Sequence, residues 1–255
     1  MKRVVFNVLA LGAMYVFSSC GNETDLATKL WAELDKEAAP NTLTAKEKKA
    51  GWQLLFDGQT TKGWHGYNTP GEVPPDWVVE NACLSSNTIG GGEEQDLITD
   101  AIYRNFAFTV EYKMTPGSNS GIIYHLVENP RYKFAYETGP EFQLHDDSNR
   151  PPERRSVGVQ SHGANYGMYQ PSSQPFKPAG EWNRLMLICK DNKVIHIVNG
   201  VELLRFDKYS DHWKFLRNDG KWEQFPDWGK TDEGHISLQN HGSKLWFRNI
   251  KIKNL

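Results

Sequence analysis

The pattern of apolar and polar positions changes once along this chain. From "WQLLFDG" at Trp52 onward, short runs alternate apolar and polar residues and are cut by turn material. The runs are "WVVENACLSS", "AFTVEYKM", "SGIIYHL", "EFQLH", "WNRLMLICK", "KVIHIVNGVELLRF", "GHISLQNH" and "KLWFRNIKI". Their separators, among them "GGGEEQD", "TPGSNS" and "KDNK", are rich in Gly, Pro, Asn and Asp, the residues that turns demand. Asn199-Gly200 inside "VNGVELL" predicts a two-residue hairpin turn. Many short strands with regular turns predict an all-β sandwich of two antiparallel sheets. Two stretches break the regularity, about 146–180 and 207–233, and long loops on a rigid sheet commonly wall a site.

Before Trp52 the periodicity is helical where it exists. "NTLTAKEKKAGW" places Thr44 three residues before Glu47, a capping box, and Gly51 where such a helix ends. Residues 20–50 therefore read as a polar tether with a short helical segment, one stretch of it near "LATKLWAELDKEA". Residues 1–19 read as a lipoprotein signal peptide. Lys2 and Arg3 precede an apolar run from Val4 to Phe17, then small residues lead to Cys20. "FSSC" resembles a bacterial lipobox with Phe17 in place of the usual Leu, which makes Cys20 the expected lipidation site and membrane anchor. The expected destination is an exported lipoprotein, periplasm-facing or on the outer membrane or cell surface. Residues 51–255 form the expected sandwich.

Strand parity then locates candidate chemistry. In "GPEFQLHDD", Glu141, Gln143 and His145 fall on one face and Phe142 and Leu144 on the other. "GHISLQNHG" repeats the pattern with His235, Ser237, Gln239 and His241. A merely solvated face usually carries Lys, Glu, Thr and Ser; amides and imidazoles instead make directed hydrogen bonds and move protons. Asn119 and His125 come from "NSGIIYHL", His196 from "VIHIVNG", and His162 and Tyr166 from "SHGANYGMY". His196 stands alone among apolar residues, where a satisfied core histidine is the commoner outcome.

Composition adds limits. The 255 residues carry a formal net charge of −2 and no basic cluster, which argues against a nucleic-acid partner. Nine Trp suit a core and also suit sugar stacking; Trp64, Trp213 and Trp228 are the candidates for the latter. Cys83 and Cys189 show no metal spacing. A divalent metal on Glu141, His145 and His241 is chemically possible, and no cofactor is required by the sequence. There is no P-loop, GxSxG or HExxH.

Together, "GWQLLFDGQTTKGWHGY", "NSGIIYHL", "GPEFQLHDD", "GEWNRLMLICK", "VIHIVNG" and "GHISLQNHGSKLWFRNIKI" resemble the 3-keto-disaccharide hydrolase domain family, from about Trp52 to Leu255. The resemblance implies a concanavalin A-like jelly roll and a carbohydrate substrate, a glycoside oxidised to a ketone at C3. It also fits lipoproteins of Bacteroidota. His125 departs from it, standing where many members carry Arg. Glucanases of this fold carry E-x-D-x-x-E on the corresponding strand; here the run is Glu141, Gln143, Asp146, so the middle acid is an amide. A retaining glycosidase needs two carboxyls about 5–5.5 Å apart. Only Glu141 stands out as a well-placed acid. A ketone at C3 removes that need by acidifying the C2 hydrogen, so that base abstraction expels the C1 substituent, with hydration possible afterwards. Glu141, His145 and His241 are the expected proton carriers. Asn119, His125, Gln143, Tyr166, His196, Gln239 and Arg248 are the expected substrate contacts, with Arg248 alternatively bracing a buried carboxylate. The competing expectations are a non-catalytic carbohydrate-binding module, a conventional glycoside hydrolase on unoxidised glycan, and a structural surface lipoprotein.

Overall fold

A computed structural model describes residues 21–87 and 95–255. The expected signal peptide and the expected lipidation site Cys20 lie outside the described residues, as does most of the expected turn at "GGGEEQD". Thirteen strands are described: β1 (Gln53–Leu54), β2 (Trp64–Gly66), β3 (Trp77–Glu80), β4 (Cys83–Ser86), β5 (Leu97–Thr99), β6 (Phe106–Met114), β7 (Asn119–Leu126), β8 (Glu141–His145), β9 (Asn183–Lys190), β10 (Lys193–Val198), β11 (Val201–Asp207), β12 (His235–Leu238) and β13 (Leu245–Asn254). They form two antiparallel sheets. The larger runs β11-β10-β9-β6-β13-β4-β3, with β1 also paired to β13; the smaller runs β2-β5-β12-β7-β8. This is the expected concanavalin A-like sandwich.

The core lies between the sheets and follows the strand alternation. Phe106, Phe108, Val110 and Tyr112 of β6 face Ile122 and Tyr124 of β7, Phe142 and Leu144 of β8, and Ile236 and Leu238 of β12, all essentially inaccessible. Asn199 (φ 51) and Gly200 (φ 87) turn β10 into β11 as their left-handed preference predicts. Cys83 and Cys189 are free, buried thiols on different strands.

The outer face of the large sheet is covered too. Helix α1 (Gly21–Glu33) lays Ala27 and Leu30 on Met186, Ile188, Ile195 and Ile197, so this part of the expected tether is docked. Helix α2 (Ala45–Ala50) has the expected capping box, with Thr44 Oγ1 accepting from Glu47 N–H at 3.2 Å and Glu47 Oε2 accepting from Thr44 N–H at 2.9 Å. Glu47 is fully buried and meets the equally buried Lys251 Nζ at 2.8 Å. That ion pair fastens α2 to β13, and losing either partner would leave a charge stranded in the interior.

The two irregular stretches become structures of their own. Residues 146–180 cross the side of the sandwich where β8 and β11 form edges. Gly163 N–H donates to Gln143 O, Gln143 N–H to Ala164 O and Tyr166 N–H to Glu141 O; further on, Ser172 N–H donates to Leu203 O in β11. Residues 207–233 contain helix α3 (Asp211–Asn218), which the strand-dominated pattern did not predict. Trp213, Trp222 and Trp228 of this stretch stack on one another, with centroids 4.4 Å apart for Trp222–Trp228 and 5.8 Å for Trp213–Trp228. All three are buried, as is Trp64, so Trp64, Trp213 and Trp228 fill the core and offer no sugar-stacking surface.

Candidate active site

The outer face of the small sheet gathers the polar side chains that strand parity predicted. Across β7 and β8, Asn119 lies opposite His145, Gly121 opposite Gln143 and Ile123 opposite Glu141. β12 lies on the other side of β7, with Ser237 opposite Ile123 and Gln239 N–H donating to Gly121 O. Glu141, Gln143, Asn119, Ser237 and Gln239 therefore share one surface across three strands.

Gly121 sits at its centre, and its missing side chain matters. A Cβ there would lie 2.3 Å from Glu141 Oε1 and 2.8 Å from its Cδ. The carboxyl group of Glu141 thus lies over the backbone of β7 at Gly121. It is 5% exposed, and burial pushes its pKa up to about 8. The Lys221 ammonium pulls it down and the Asp96 carboxylate pushes it further up. Asp96, just before β5, has Oδ1 accepting from Asn240 N–H at 2.9 Å, a bond that favours its charged form. The two carboxyl groups therefore lie within each other's electrostatic reach, and Glu141 is the one that burial drives to hold its proton.

A cleft of about 620 Å³ opens at Asp96, lined also by Tyr67, Tyr136, Gln239 and His241 among others. That volume suits a small-molecule ligand. Gln239 Oε1 and Ser237 Oγ are buried without a hydrogen-bond partner, acceptors and donors awaiting one. Gln143 Nε2 donates to Asn119 Oδ1 at 3.1 Å, which fixes both amides. Tyr166 is half-buried next to Glu141, held by its own N–H on Glu141 O and by Trp222 Nε1–H on its carbonyl. Lys221 Nζ lies 4.2 Å from the Tyr166 ring centroid.

Several expected contacts lie elsewhere. His145 is on the same face, but four residues of strand separate it from Glu141 by about 13 Å. Its Nδ1 lies 3.2 Å from Asp147 Oδ2, and it lines a different cavity of about 600 Å³ with Asp146, Ser161 and His162. Burial holds its pKa below the usual value, against the pull of Asp147. His125 was expected on the polar face by parity with Ile123. Its backbone adopts φ 51, and the β12–β7 register shifts there, which turns its ring inward against Phe106 and Tyr124. Its Nε2–H donates to Arg104 O at 2.9 Å, and burial lowers its pKa to about 4. His196 is in the core, stacked on Phe142 at 4.0 Å, with Nδ1 3.1 Å from Gly163 O. It belongs to the large sheet and its ring points between the sheets, so it cannot meet substrate at the cleft. Arg248 is on the outer face of that sheet, where its Nε–H donates to Glu111 Oε2 at 2.8 Å. It braces a buried carboxylate and is remote from the cleft. Among the described residues no group of three or more His, Cys, Asp or Glu is placed to hold a metal ion, so Glu141, His145 and His241 do not form a metal centre.

Asp96 and Lys221 were not read from the sequence. Asp96 follows a glycine-rich stretch of sequence and Lys221 opens the short 3-10 turn Lys221–Gln224, and neither position carries a periodic signal.

Residues 51–253 match the model of the 3-keto-alpha-glucoside-1,2-lyase-like domain. A 3-keto-disaccharide hydrolase of Bacteroides thetaiotaomicron is 30% identical over 291 aligned positions, covering 100% of both chains. The crystal structure of a proposed glycosyl hydrolase from Parabacteroides distasonis is 40% identical with a TM-score of 0.78, covering 85% of this chain and 100% of that one. A second from the same organism is 23% identical with a TM-score of 0.62, covering 80% and 99%, and supports the fold alone.

Proposed function

The chain belongs to the 3-keto-alpha-glucoside-1,2-lyase-like domain family, and from that premise we propose that it cleaves the glycosidic bond of 3-keto glycosides by elimination across C1 and C2. The observation that carries this reading is a buried, proton-holding Glu141 within the electrostatic reach of Asp96, the carboxyl that lines the cleft. A carboxyl that keeps its proton near neutral pH is suited to general acid work, which leaves the neighbouring one as the candidate base.

Asp96 takes the C2 hydrogen, which the neighbouring ketone acidifies. The electron pair passes into an enediolate and then expels the C1 oxygen, which takes the Glu141 proton. The products are an alcohol and a 2-hydroxy-3-keto glycal; water adding to the glycal gives the free 3-keto sugar, so net hydrolysis is the same reaction carried one step further. Gln239 and His241 line the wall with Asp96 and supply hydrogen-bonding groups for the keto oxygen and its enediolate form. Gln143, Asn119 and Tyr166 orient the ring from the Glu141 side. In D2O, product mass is expected to reveal the glycal or a sugar carrying deuterium at C2; a product with full protium at C2 would overturn the elimination.

The presence of Asp96 also favours a second reading, the conventional glycoside hydrolase that stands among the competing sequence expectations. Two neighbouring carboxyls are the equipment of a conventional glycosidase. Turnover of an unoxidised chromogenic glucoside at a rate matching its 3-keto form would establish that reading and defeat the first.

A pH profile tests the assignment of Glu141. As an acid it works only while protonated, so kcat/KM is expected to fall as pH rises through about 8. Lys221→Met removes the cation that favours ionisation, and the alkaline limb should move to higher pH. An unmoved limb would separate Lys221 from Glu141.

A further inference from the structure

The cleft has two unlike walls. One is built of amides and an acid, from Gln95 and Asp96 to Gln239 and Asn240. The other is aromatic, with Phe134 and Tyr136 on either side of Ala135. Phe134 is 39% exposed, unusual for a phenylalanine at the mouth of a polar cleft. It is nevertheless fixed. Its N–H donates to Glu137 Oε1 at 2.9 Å, at the start of a 3-10 turn over Ala135–Glu137. Its ring stacks on Tyr136 with centroids 5.0 Å apart and planes at 11°. Tyr136 in turn meets Phe225 edge-on at 5.7 Å, and Phe225 packs on the main core. The result is a row of rings anchored at its inner end and open at its outer end. The inner end lies near Asp96, whose charge acts on the Tyr136 phenol. Two ammonium groups border the row, Lys133 at 5.0 Å from the Phe134 centroid and Lys221 at 5.6 Å from that of Tyr136.

We propose that Phe134 and Tyr136 form the leaving-group subsite and that it is built for planar aromatic aglycones, so that aryl 3-keto-glucosides are preferred over 3-keto-disaccharides. The inference rests on the cleavage reading above. The 3-keto ring needs the directed groups of the polar wall, which leaves the aromatic wall for whatever is attached through C1. A second hexose would bring several hydroxyls, and this wall meets few of them, its two rings offering one phenol between them and the bordering ammonium groups donors alone. An aryl group needs only a flat apolar face and extends the existing stack. The bordering ammonium groups favour the electron-rich oxygen of a departing phenol, which receives the C1–O electron pair and then the Glu141 proton.

The test compares the 3-keto forms of phenyl glucoside and of a glucosyl disaccharide on the full chain. kcat/KM is expected to be higher for the phenyl substrate. Phe134→Ala should raise its KM about three- to tenfold, raise that of the disaccharide by clearly less, and be rescued by Phe134→Trp. Equal losses on both substrates, or none on either, would overturn the subsite. Saturation-transfer NMR with unoxidised phenyl glucoside gives a readout independent of turnover. Strong saturation of the phenyl protons in the wild type, lost in Phe134→Ala, supports the platform; equal saturation in both refutes it. If no 3-keto substrate is cleaved at all, the cleavage reading fails, and the NMR comparison still decides the platform.

Discussion

Glu141→Gln is expected to lower kcat on a 3-keto glycoside by about 10²–10⁴-fold, the range for removing one general acid, while making the protein more stable at alkaline pH. The two effects share one cause. The folded protein holds the Glu141 proton up to about pH 8, whereas the unfolded chain releases it near the ordinary value of 4.5. Between those values the folded state binds more protons than the unfolded one, so wild-type stability falls as pH rises through the window. An amide at this position has no proton to lose and escapes that penalty. Thermal melts at pH 5 and pH 9 should therefore diverge less for the variant than for the wild type. Near-normal turnover in Glu141→Gln would remove Glu141 from the mechanism; an unchanged pH dependence of melting would say that its proton is not held by the fold.

Gly121→Ala is the second large effect, and it separates activity from folding. Gly121 lies outside the left-handed backbone region, so alanine meets no backbone strain there. Its Cβ would instead strike the Glu141 side chain, the nearest atom being Oε1 at 2.3 Å. A flexible carboxyl can swing aside, so the cost in stability should be about 1 kcal/mol, at the low end for an added methyl. The displaced acid, however, no longer holds its place over the β7 backbone. Misplacement on the order of 1 Å can cost about 10²-fold in rate, and that is the expected loss of kcat. In a Glu141→Gln background the same change should cost little more, since the group it displaces is already inert. Independent losses in the double variant would mean that Gly121 acts through something other than Glu141.

What the sequence made legible follows from what strand periodicity can carry. Alternation placed Glu141 and Gln143 on one face and Phe142 and Leu144 on the other, because the strand is regular there and a period of two has no free parameter. The same reasoning misplaced His125, since one residue at φ 51 reverses parity and no residue-type signal announces it. His196 and Arg248 lie on strands correctly read as strands, but alternation does not say which sheet a strand joins or what covers its faces. Asp96 and Lys221 come from segments without period, brought to Glu141 by tertiary packing alone. The helical period of α1 was visible near Leu26; that its apolar side docks on the large sheet was not, because the partner residues are more than 70 positions away.

The crossing segment at 163–172 has a consequence beyond walling the site. β8 and β11 are the terminal strands of their sheets on the same side of the sandwich, and each would otherwise present unpaired N–H and C=O groups to another molecule. Backbone bonds from Gly163, Ala164 and Tyr166 occupy the β8 edge, and Ser172 occupies part of β11. The loop that shapes the ligand surface is therefore also the fold's guard against strand-by-strand self-association. Substitutions that loosen it will surface first as poor solubility during expression, before any change in catalysis can be measured.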